Sequence, residues 1–389
     1  MIIALIVFYF LFPVLVIYLS TRVTLVRKAG PVVVCYAAGL LIGNTGILPE
    51  GMYHYQDLLT NITIPLAIPL LLFSLDVKSM VKMAGKTFLS LFLGLASTVI
   101  MVMTGYLFLS GKIHDCWKVA GMLTGVYSGG TPNLAAMKIA LEIDPDTYIL
   151  THSYDVAVGA VVLFFMVSYA QRFFLIFMKP YSPPDKDIKT VTNGNYSEDF
   201  ESYEHIFQWK TFRYLLEACI VAAGIIGISA GISYLLVFLV KPKDPQMFEM
   251  TSIILLITTL GITASLFKRV NRIRKSFQAG MYFILVFCVV VASMADISSF
   301  TFDSWPILAY IIIAVPGSLL LHAILSRIFN VDVDNFLIIS TALSMSPPFV
   351  PVVAGALKNK DIIIPGLVVG IIGYAIGNYL GIMIAFILR

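Results

Sequence analysis

Runs of about 18 or more apolar residues recur along the whole chain, and each can cross the roughly 30 Å hydrocarbon core of a bilayer. Apolar residues make up 59% of the 389 positions, whereas Asp, Glu, Lys and Arg together make up 12%. A soluble domain carries about a quarter charged residues, so most of this surface must face lipid. The sequence therefore predicts an all-α polytopic membrane protein in a lipid bilayer. It has no basic, solvated face outside short loops, so no nucleic acid is expected as a partner.

The hydropathy pattern divides into apolar segments with one polar linker near the middle of the chain. The linker, residues 179–211, contains prolines and mixed charges, and it separates a first membrane repeat at 1–178 from a second at 212–389. The predicted helical segments are 2–19, 31–48, 58–75, 87–109, 116–141, 147–178, 212–240, 250–267, 279–298, 305–329, 335–357 and 361–388. Basic residues follow the first segment rather than precede it, so we predict a retained helix and not a cleaved signal peptide.

Lysine and arginine cluster in three turns, which predicts the orientation of the chain. The clusters lie at 20–30, 78–86 and 268–275, and cytoplasmic turns carry such an excess of positive charge. The amino terminus is then expected outside the cell. Twelve strictly alternating spans cannot place all three clusters on one side. The segment 116–141 has the least helix-like centre and is expected not to cross simply, which leaves 11 to 13 spans.

The two halves of the sequence resemble each other weakly. Residues 72–76 echo 291–296, and each half then contains an interrupted apolar segment followed by a glycine-rich helix. If the segment 116–141 does not cross the membrane simply, the number of membrane crossings between equivalent helices of the two halves is odd. The halves would then be inverted repeats with discontinuous helices or hairpins near the midplane, as in many secondary transporters.

Two apolar segments are interrupted at their centres by residues that do not suit a helix interior. The first interruption, residues 128–133, has paired glycines and a proline, and the second, residues 344–351, has three prolines beside serine hydroxyls. In lipid such a break survives only within protein or beside an aqueous cavity. We predict that the two breaks approach each other near the membrane midplane and form a binding site. The alternative is a pair of kinked helices with no site.

Ionisable and amide side chains near these segments complete the candidate site. Asp155 lies in the apolar helix after the first break, with His152 one turn earlier, and Asn378 holds a similar place in the last helix. A carboxylate in a span is costly and often functional, although an interfacial position at the helix end is the alternative. Asp155 could bind sodium together with Asn133 and Thr131, or could carry a proton. The candidate substrate- or ion-binding residues are Ser128, Gly129, Gly130, Thr131, Asn133, Asp155, Ser344, Ser346 and Asn378.

Other polar residues give weaker signals. Asp76 and Asp296 end their helices and suit either an interfacial or a functional role. His54, His114 and His322 look isolated, and no structural or catalytic metal site is evident. The four cysteines have no metal-like spacing and are expected to be core residues without disulfides.

The motifs at 120–133 and 370–381 resemble signatures of the YjcL-like bacterial membrane proteins, which share the domain of unknown function 819. The resemblance runs through the whole chain. It implies kinship with cation–proton antiporters and with the bile-acid, citrate and glutamate sodium symporters, which share inverted repeats and two discontinuous helices or hairpins at the substrate. It also implies a bacterial cytoplasmic membrane, and such proteins are often homodimers. One departure is that Val156 follows Asp155 where the pattern usually has asparagine.

Three functions remain open at this point. The first hypothesis is a secondary active transporter that moves a small anionic organic solute by alternating access, coupled to sodium or protons. The second is a monovalent cation–proton antiporter with Asp155 as the carrier. The third is a membrane sensor or enzyme without transport, but no paired acids and no Ser/His pair on one helix indicate a reaction. We therefore expect no enzyme and no cofactor beyond sodium as a coupling ion.

Overall fold

The computed structural model describes residues 1–23, 26, 30–49, 51–74, 85–181, 209–271, 273, 275–294, 304–359 and 361–389. Every regular element in these ranges is helical, and none of these residues lies in a strand. The α-helices in the first half are α1 Ile2–Arg22, α2 Pro31–Gly43, α3 Met52–Leu72, α4 Gly85–Leu109, α5 Cys116–Gly129, α6 Thr131–Ala140, α7 Pro145–Phe165 and α8 Gln171–Phe174. The second half contains α9 Trp209–Val240, α10 Pro245–Ser265, α11 Lys268–Asn271, α12 Ser276–Ala292, α13 Trp305–Ile328, α14 Val333–Ser344, α15 Val350–Ala356 and α16 Ile363–Leu388.

The described helices include eight that are long and apolar enough to cross a membrane. These are α1, α3, α4, the continuous α7–α8 pair, α9, α10, α13 and α16. Three shorter apolar helices, α2, α12 and α14, add to them. Each predicted segment contains a helix, so the all-α polytopic fold class is confirmed. The number of spans and the inversion of the repeats stay predictions.

Local sequence signals set several of the helix ends. Asp244 caps α10 by accepting a hydrogen bond from the Met247 N–H at 3.3 Å, and Pro245 occupies the first helical position, where no N–H is needed. Asp332 caps α14 in the same way through the Asn335 N–H at 3.0 Å. A turn of π-helix at Met166–Ala170 joins α7 to α8. These helix ends are therefore set by interactions between residues that are close together in the sequence.

The chain forms two compact units, and each takes segments from both halves of the sequence. Unit 1 comprises Met1–Ser74, Ala135–Val156 and Tyr203–Trp305. Unit 2 comprises Leu75–Leu134, Ala157–Ser202 and Pro306–Arg389. The boundaries fall inside α6 and α7, so these two helices contribute to both units. The predicted repeats, residues 1–178 and 212–389, therefore do not coincide with the compact units. The repeats stay a prediction from the sequence.

Unit 1 is centred on α12, which packs against α1, α2 and α3. Every residue of α12 from Ile284 to Ala292 is buried, so the carboxyl-terminal half of this helix is enclosed by protein on all sides. At its carboxyl end the Ser293 hydroxyl contacts the Tyr9 hydroxyl at 2.8 Å and accepts a hydrogen bond from the Gln56 amide at 2.8 Å. Helices α9 and α10 pack against α3 on the outside of this centre.

Unit 2 is centred on α5, which packs against α4, α14 and α16. All residues of α5 from Val119 to Gly129 are buried. Apolar side chains of α14, from Phe336 to Leu343, fill the space beside it. Both interrupted segments have their central residues in this unit, so it contains most of the candidate site.

Several sequence predictions concern residues outside the described ranges. They include most of the linker and several of the basic residues that predict orientation: Arg27, Lys28, Lys78, Lys82, Arg272 and Arg274. Asp76 and Asp296 also lie outside the described residues.

Candidate functional site

The first break separates α5 from α6 at a single residue, Gly130. Its backbone has φ 99° and ψ −163°, a region that is essentially restricted to glycine. The Gly130 N–H donates to the Val126 carbonyl at 2.6 Å and closes α5, while the Gly130 carbonyl accepts from the Asn133 N–H at 3.0 Å and begins α6. One glycine therefore ends one helix and starts the next without leaving its own backbone groups unsatisfied.

The second break has the same backbone conformation at Ser346, with φ 77° and ψ 157°. Helix α14 ends at Ser344, and a 3-10 turn over Pro347–Phe349 leads into α15. A residue with a Cβ in this region bears a strain of about 1–3 kcal/mol, which the surrounding structure must offset. Strained backbone of this kind concentrates at functional positions, so the serine here supports a functional role for the break.

The two breaks contact each other within unit 2. A Cβ placed on Gly130 would collide with the Ser346 hydroxyl and would lie 2.9 Å from the Ser346 Cβ and 3.5 Å from its Cα. Only a residue without a side chain fits opposite Ser346. The predicted approach of residues 128–133 to residues 344–351 is therefore observed, at the two residues with the unusual backbone.

Helix α16 passes both breaks and presents glycines to them. A Cβ on Gly373 would collide with the Ser128 carbonyl oxygen and lie 3.1 Å from the Gly129 Cα. The Asn133 side-chain amide donates to the Gly373 carbonyl at 3.0 Å. Glycine is needed at this position because two backbones meet where a methyl group has no room. The glycines of α16 that contact the two interrupted segments are Gly366, Gly370, Gly373 and Gly377.

The remaining predicted residues of the breaks lie close to these contacts. Ser128 is fully buried and its hydroxyl donates to the Thr124 carbonyl at 2.6 Å. Thr131 is half-buried at the start of α6. The Ser344 hydroxyl donates to the Ser340 carbonyl at 2.6 Å. Asn378 is buried in α16, directly after the glycine that contacts Asn133.

Asp155 belongs to unit 1, where its carboxylate lies near an imidazole. The distance between Asp155 Oδ2 and His152 Nδ1 is 3.6 Å, and the two side chains are 14% and 4% exposed. Asp155 is therefore largely withdrawn from the surface, as expected for an acid within a span. The three residues that the sequence predicts as sodium ligands belong to different units. Asp155 belongs to unit 1, whereas Thr131 and Asn133 belong to unit 2.

The expectation that His322 is isolated is wrong. Its Nδ1 lies 2.8 Å from the Ser340 hydroxyl and its Nε2 lies 3.1 Å from the Ser90 hydroxyl, so helices α4 and α14 hold the ring from both sides. No sequence signal indicates these contacts, because the serines lie on other helices, 232 and 18 positions away. His322 also lines a small cavity. Hydroxyl-bearing residues of α5 and α14, the helices that precede the two breaks, line the same cavity, and its lining includes Thr98, Tyr127, Ser318, Ser340 and Ser344.

Replacement of His322 with leucine is expected to destabilise unit 2. Leucine has a similar apolar bulk but leaves the buried Ser90 and Ser340 hydroxyls without their partner, and an unsatisfied buried group costs about 1–3 kcal/mol. Thermal unfolding in detergent, followed by size-exclusion chromatography, measures the loss. The control is His114→Leu at an exposed side chain, which should unfold like the wild type. Equal stability of both variants would contradict the structural importance of the two hydrogen bonds.

Lys138 is a second residue that the sequence analysis missed. It lies in α6, seven positions after Thr131, and is 6% exposed. Among the described residues, the acidic groups whose charge acts on its ammonium group include Asp57 and Asp144, which also belong to unit 1. The sequence does contain a signal for Lys138, because it is a lone lysine in the apolar stretch after the first break.

Comparison with known proteins places the whole chain in one family. The model of the family described as "Protein of unknown function (DUF819)" matches residues 8–389. The chain is also similar to the uncharacterized membrane protein YjcL of Bacillus subtilis strain 168, at 26% identity over 359 residues that cover 90% of this chain and 87% of that protein. Since the family model spans nearly every residue of both units, the chain belongs to the DUF819 family of membrane proteins.

Proposed function

We propose that this protein is a secondary active transporter that moves a small anionic organic solute by alternating access, coupled to sodium or protons. The observation that carries the proposal is the contact between the two breaks at Gly130 and Ser346. If the two breaks were only kinks in separate helices, they would not need to contact each other. Discontinuous helices that meet within the protein are the usual construction of a transporter binding site.

The electrostatics of the first break support an anionic solute and a cation. Helix α6 begins at Thr131, and the partial positive charge at a helix amino terminus attracts anions. Helices α5 and α14 end at the same place, and carbonyl groups at helix carboxyl ends favour cations. An anion and its coupling cation can therefore bind near each other between these ends.

The composition of the two units supports the proposed inverted repeats. The first half of the chain contributes α1–α3 to unit 1 and then α4 and α5 to unit 2. The second half contributes α9, α10 and α12 to unit 1 and then α13–α16 to unit 2. The two halves share this initial order, which two copies of one folding unit would produce, although the first half then returns to unit 1 over Ala135–Val156 and the second half does not. Residence in the bacterial cytoplasmic membrane with the amino terminus outside, and a homodimeric assembly, complete the proposal.

Cation–proton antiport is the second candidate, and one observation favours it. The pair formed by His152 and Asp155 lies in a span and can hold a proton or a cation without any organic solute. The two functions differ in whether an organic anion is required for ion flux. A sensor or an enzyme would show neither solute exchange nor ion flux.

A two-step experiment tests the proposal. Thermal-shift screening of organic acids against the purified protein, with and without sodium, identifies a stabilising solute through its preference for the folded state. Proteoliposomes loaded with that solute should then take up the radiolabelled form by counterflow. Stabilisation by no organic acid, together with sodium-driven proton flux in the same vesicles, would replace the proposal with antiport.

Gly130→Ala is expected to abolish counterflow, because alanine meets both the glycine-restricted backbone and the Ser346 side chain. The backbone strain alone is about 1–3 kcal/mol. The matched control is Gly46→Ala, which also has a positive φ but no heavy atom within 4 Å of the added methyl group. Comparison of the two variants separates the collision with Ser346 from the cost of the backbone.

The double variant Gly130→Ala/Ser346→Gly completes this test. It removes the side chain that alanine strikes and places glycine at the second strained position. Recovery of folded, monodisperse protein relative to Gly130→Ala is expected. Counterflow at the wild-type rate in Gly130→Ala would contradict a binding site at this contact.

A further inference from the structure

A small cavity lies within unit 2, where residues of α4, α5, α7, α13 and α14 line it. Asp155 belongs to unit 1 and is not among the described residues of this lining. The volume of the cavity is about 20 Å³, and a space of about 10–15 Å³ is sufficient for one water-sized occupant. The cavity can therefore hold a water molecule or a single dehydrated ion, but not an organic solute.

The polar side chains that line this cavity are mainly hydroxyls. Thr98 donates its hydroxyl proton to the Tyr127 carbonyl at 3.4 Å. The Ser344 hydroxyl donates to the Ser340 carbonyl at 2.6 Å, and the Ser318 hydroxyl donates to a carbonyl of its own helix at 3.0 Å. A hydroxyl carries one proton and two lone pairs, so these three donating oxygens have only acceptor capacity left. The lining therefore suits a ligand that brings positive charge.

Two helices end beside the cavity, and their carboxyl ends favour a cation. Tyr127 lies in the last turn of α5, which ends at Gly129, and Ser344 is the last residue of α14. The last carbonyls of a helix carry the partial negative charge of the helix dipole. No Asp, Glu, Lys or Arg is among the described lining residues, so no charged side chain there offsets this field. A cation therefore suits the cavity better than an anion does.

His322 holds one wall of the cavity in place. Its Nδ1 lies 2.8 Å from the Ser340 hydroxyl, and its Nε2 lies 3.1 Å from the Ser90 hydroxyl. Because both nitrogens already have partners, the groups left to bind an ion are oxygens. Oxygen ligands suit hard cations, whereas imidazole nitrogens suit transition metals. The lining therefore indicates a hard cation.

We propose that this cavity binds one sodium ion through the hydroxyl oxygens of Thr98, Ser318 and Ser344 and the carbonyl oxygens at the end of α5. The inference rests on the proposed function and names sodium as its coupling ion. A water molecule can donate to only two of these oxygens, whereas an ion attracts all of them. Carboxyl ends of discontinuous helices also coordinate sodium in other transporters. The site is built from neutral oxygens and is additional to the predicted ligand Asp155.

Equilibrium binding of radioactive sodium to the purified full-length protein tests this inference, with choline chloride keeping the ionic strength constant. Thr98→Val and Ser318→Ala each remove one oxygen ligand and should each raise the apparent Kd of one sodium ion at least about tenfold. Loss of a group that only supports a metal ligand already costs about 10–100-fold in affinity. The matched control is Thr104→Val on the same helix. The half-buried Thr104 also donates to a backbone carbonyl, at 2.7 Å, but it is not part of the lining, so its loss should leave sodium binding unchanged.

The Asp155→Asn variant separates this site from the predicted carboxylate ligand. It should still bind one sodium ion per chain, and addition of Thr98→Val should weaken that binding as it does in the wild type. Monodisperse elution and thermal unfolding in choline chloride check that each variant folds. Unchanged sodium binding in both Thr98→Val and Ser318→Ala overturns the inference. Absence of saturable sodium binding by the wild type also overturns it and leaves the cavity as a site for water only.

Solute counterflow is measured separately, so failure of this inference differs from failure of the proposed function. Counterflow that persists while sodium binding ignores Thr98→Val and Ser318→Ala leaves the transporter and removes the sodium site. Sodium binding that both substitutions weaken, without counterflow of any organic acid, supports the site and overturns solute transport.

Discussion

Asp155→Asn is expected to abolish ion-coupled transport while the protein still folds. Asparagine keeps the shape of the side chain but removes the charge beside His152. Two unit charges about 4 Å apart attract each other by about 4 kcal/mol at an effective dielectric constant near 20. Loss of that attraction weakens ion binding by about 1000-fold. Uptake of the identified solute into proteoliposomes under an imposed sodium or proton gradient measures the loss.

The control is Asp146→Asn, the same substitution in the first turn of the same helix. A negative charge in the first turn is favoured by the partial positive charge at the helix amino terminus, so its loss should cost about 0.3–1 kcal/mol of stability and leave ion coupling intact. Monodisperse elution of both variants shows that they fold. Unchanged ion dependence in Asp155→Asn would exclude this carboxylate as the principal charge of the transport site.

Gly373→Leu is expected to prevent normal packing of unit 2. Any side chain at this position meets the Ser128 carbonyl and the Gly129 Cα, which are backbone atoms and cannot rotate away. Overpacking usually costs about 1–3 kcal/mol and more where the backbone must move, so a loss of at least about 3 kcal/mol is expected. Yield of monodisperse protein and its thermal unfolding temperature measure this loss.

The matched control is Gly227→Leu in α9. This glycine also lies within an apolar helix, but no heavy atom lies within 4 Å of an added Cβ, and the position is exposed at the surface of the described structure. The substitution should leave stability unchanged or raise it slightly, because leucine favours a helix over glycine by up to about 1 kcal/mol. Equal behaviour of Gly373→Leu and this control would contradict the close approach of α16 to the Ser128 carbonyl and the Gly129 Cα.

The helices and their interruptions follow from the sequence because they depend on local chemistry. A run of apolar residues must form a helix in lipid to satisfy its backbone. Pro132 and Pro347 lack the N–H that a helix interior needs, and Gly130 can adopt a backbone that other residues avoid. The sequence therefore predicts both breaks, and the structure places them at Gly130 and Ser346.

Contacts between distant residues could not be predicted in the same way. His322 looks isolated in the sequence because its partners, Ser90 and Ser340, belong to other helices. The glycines of α16 are a general sequence signal for close helix packing, and only the fold shows that four of the five face the two interrupted segments. The burial of Lys138, which is 6% exposed, likewise depends on packing that its sequence neighbours do not reveal.

The sequence by itself determined the membrane class, the position of the helices, the two breaks and the family. These properties depend on hydrophobicity and backbone chemistry over a few residues, which any window of the chain reveals. Only the tertiary structure decided that Gly130 faces Ser346 and that α16 packs against both breaks. It also decided that both ring nitrogens of His322 face serine hydroxyls, whereas those of His152 have no hydrogen-bond partner among the described residues. The reason is that such contacts depend on which helix faces pack together, and packing brings into contact residues that no sequence window contains.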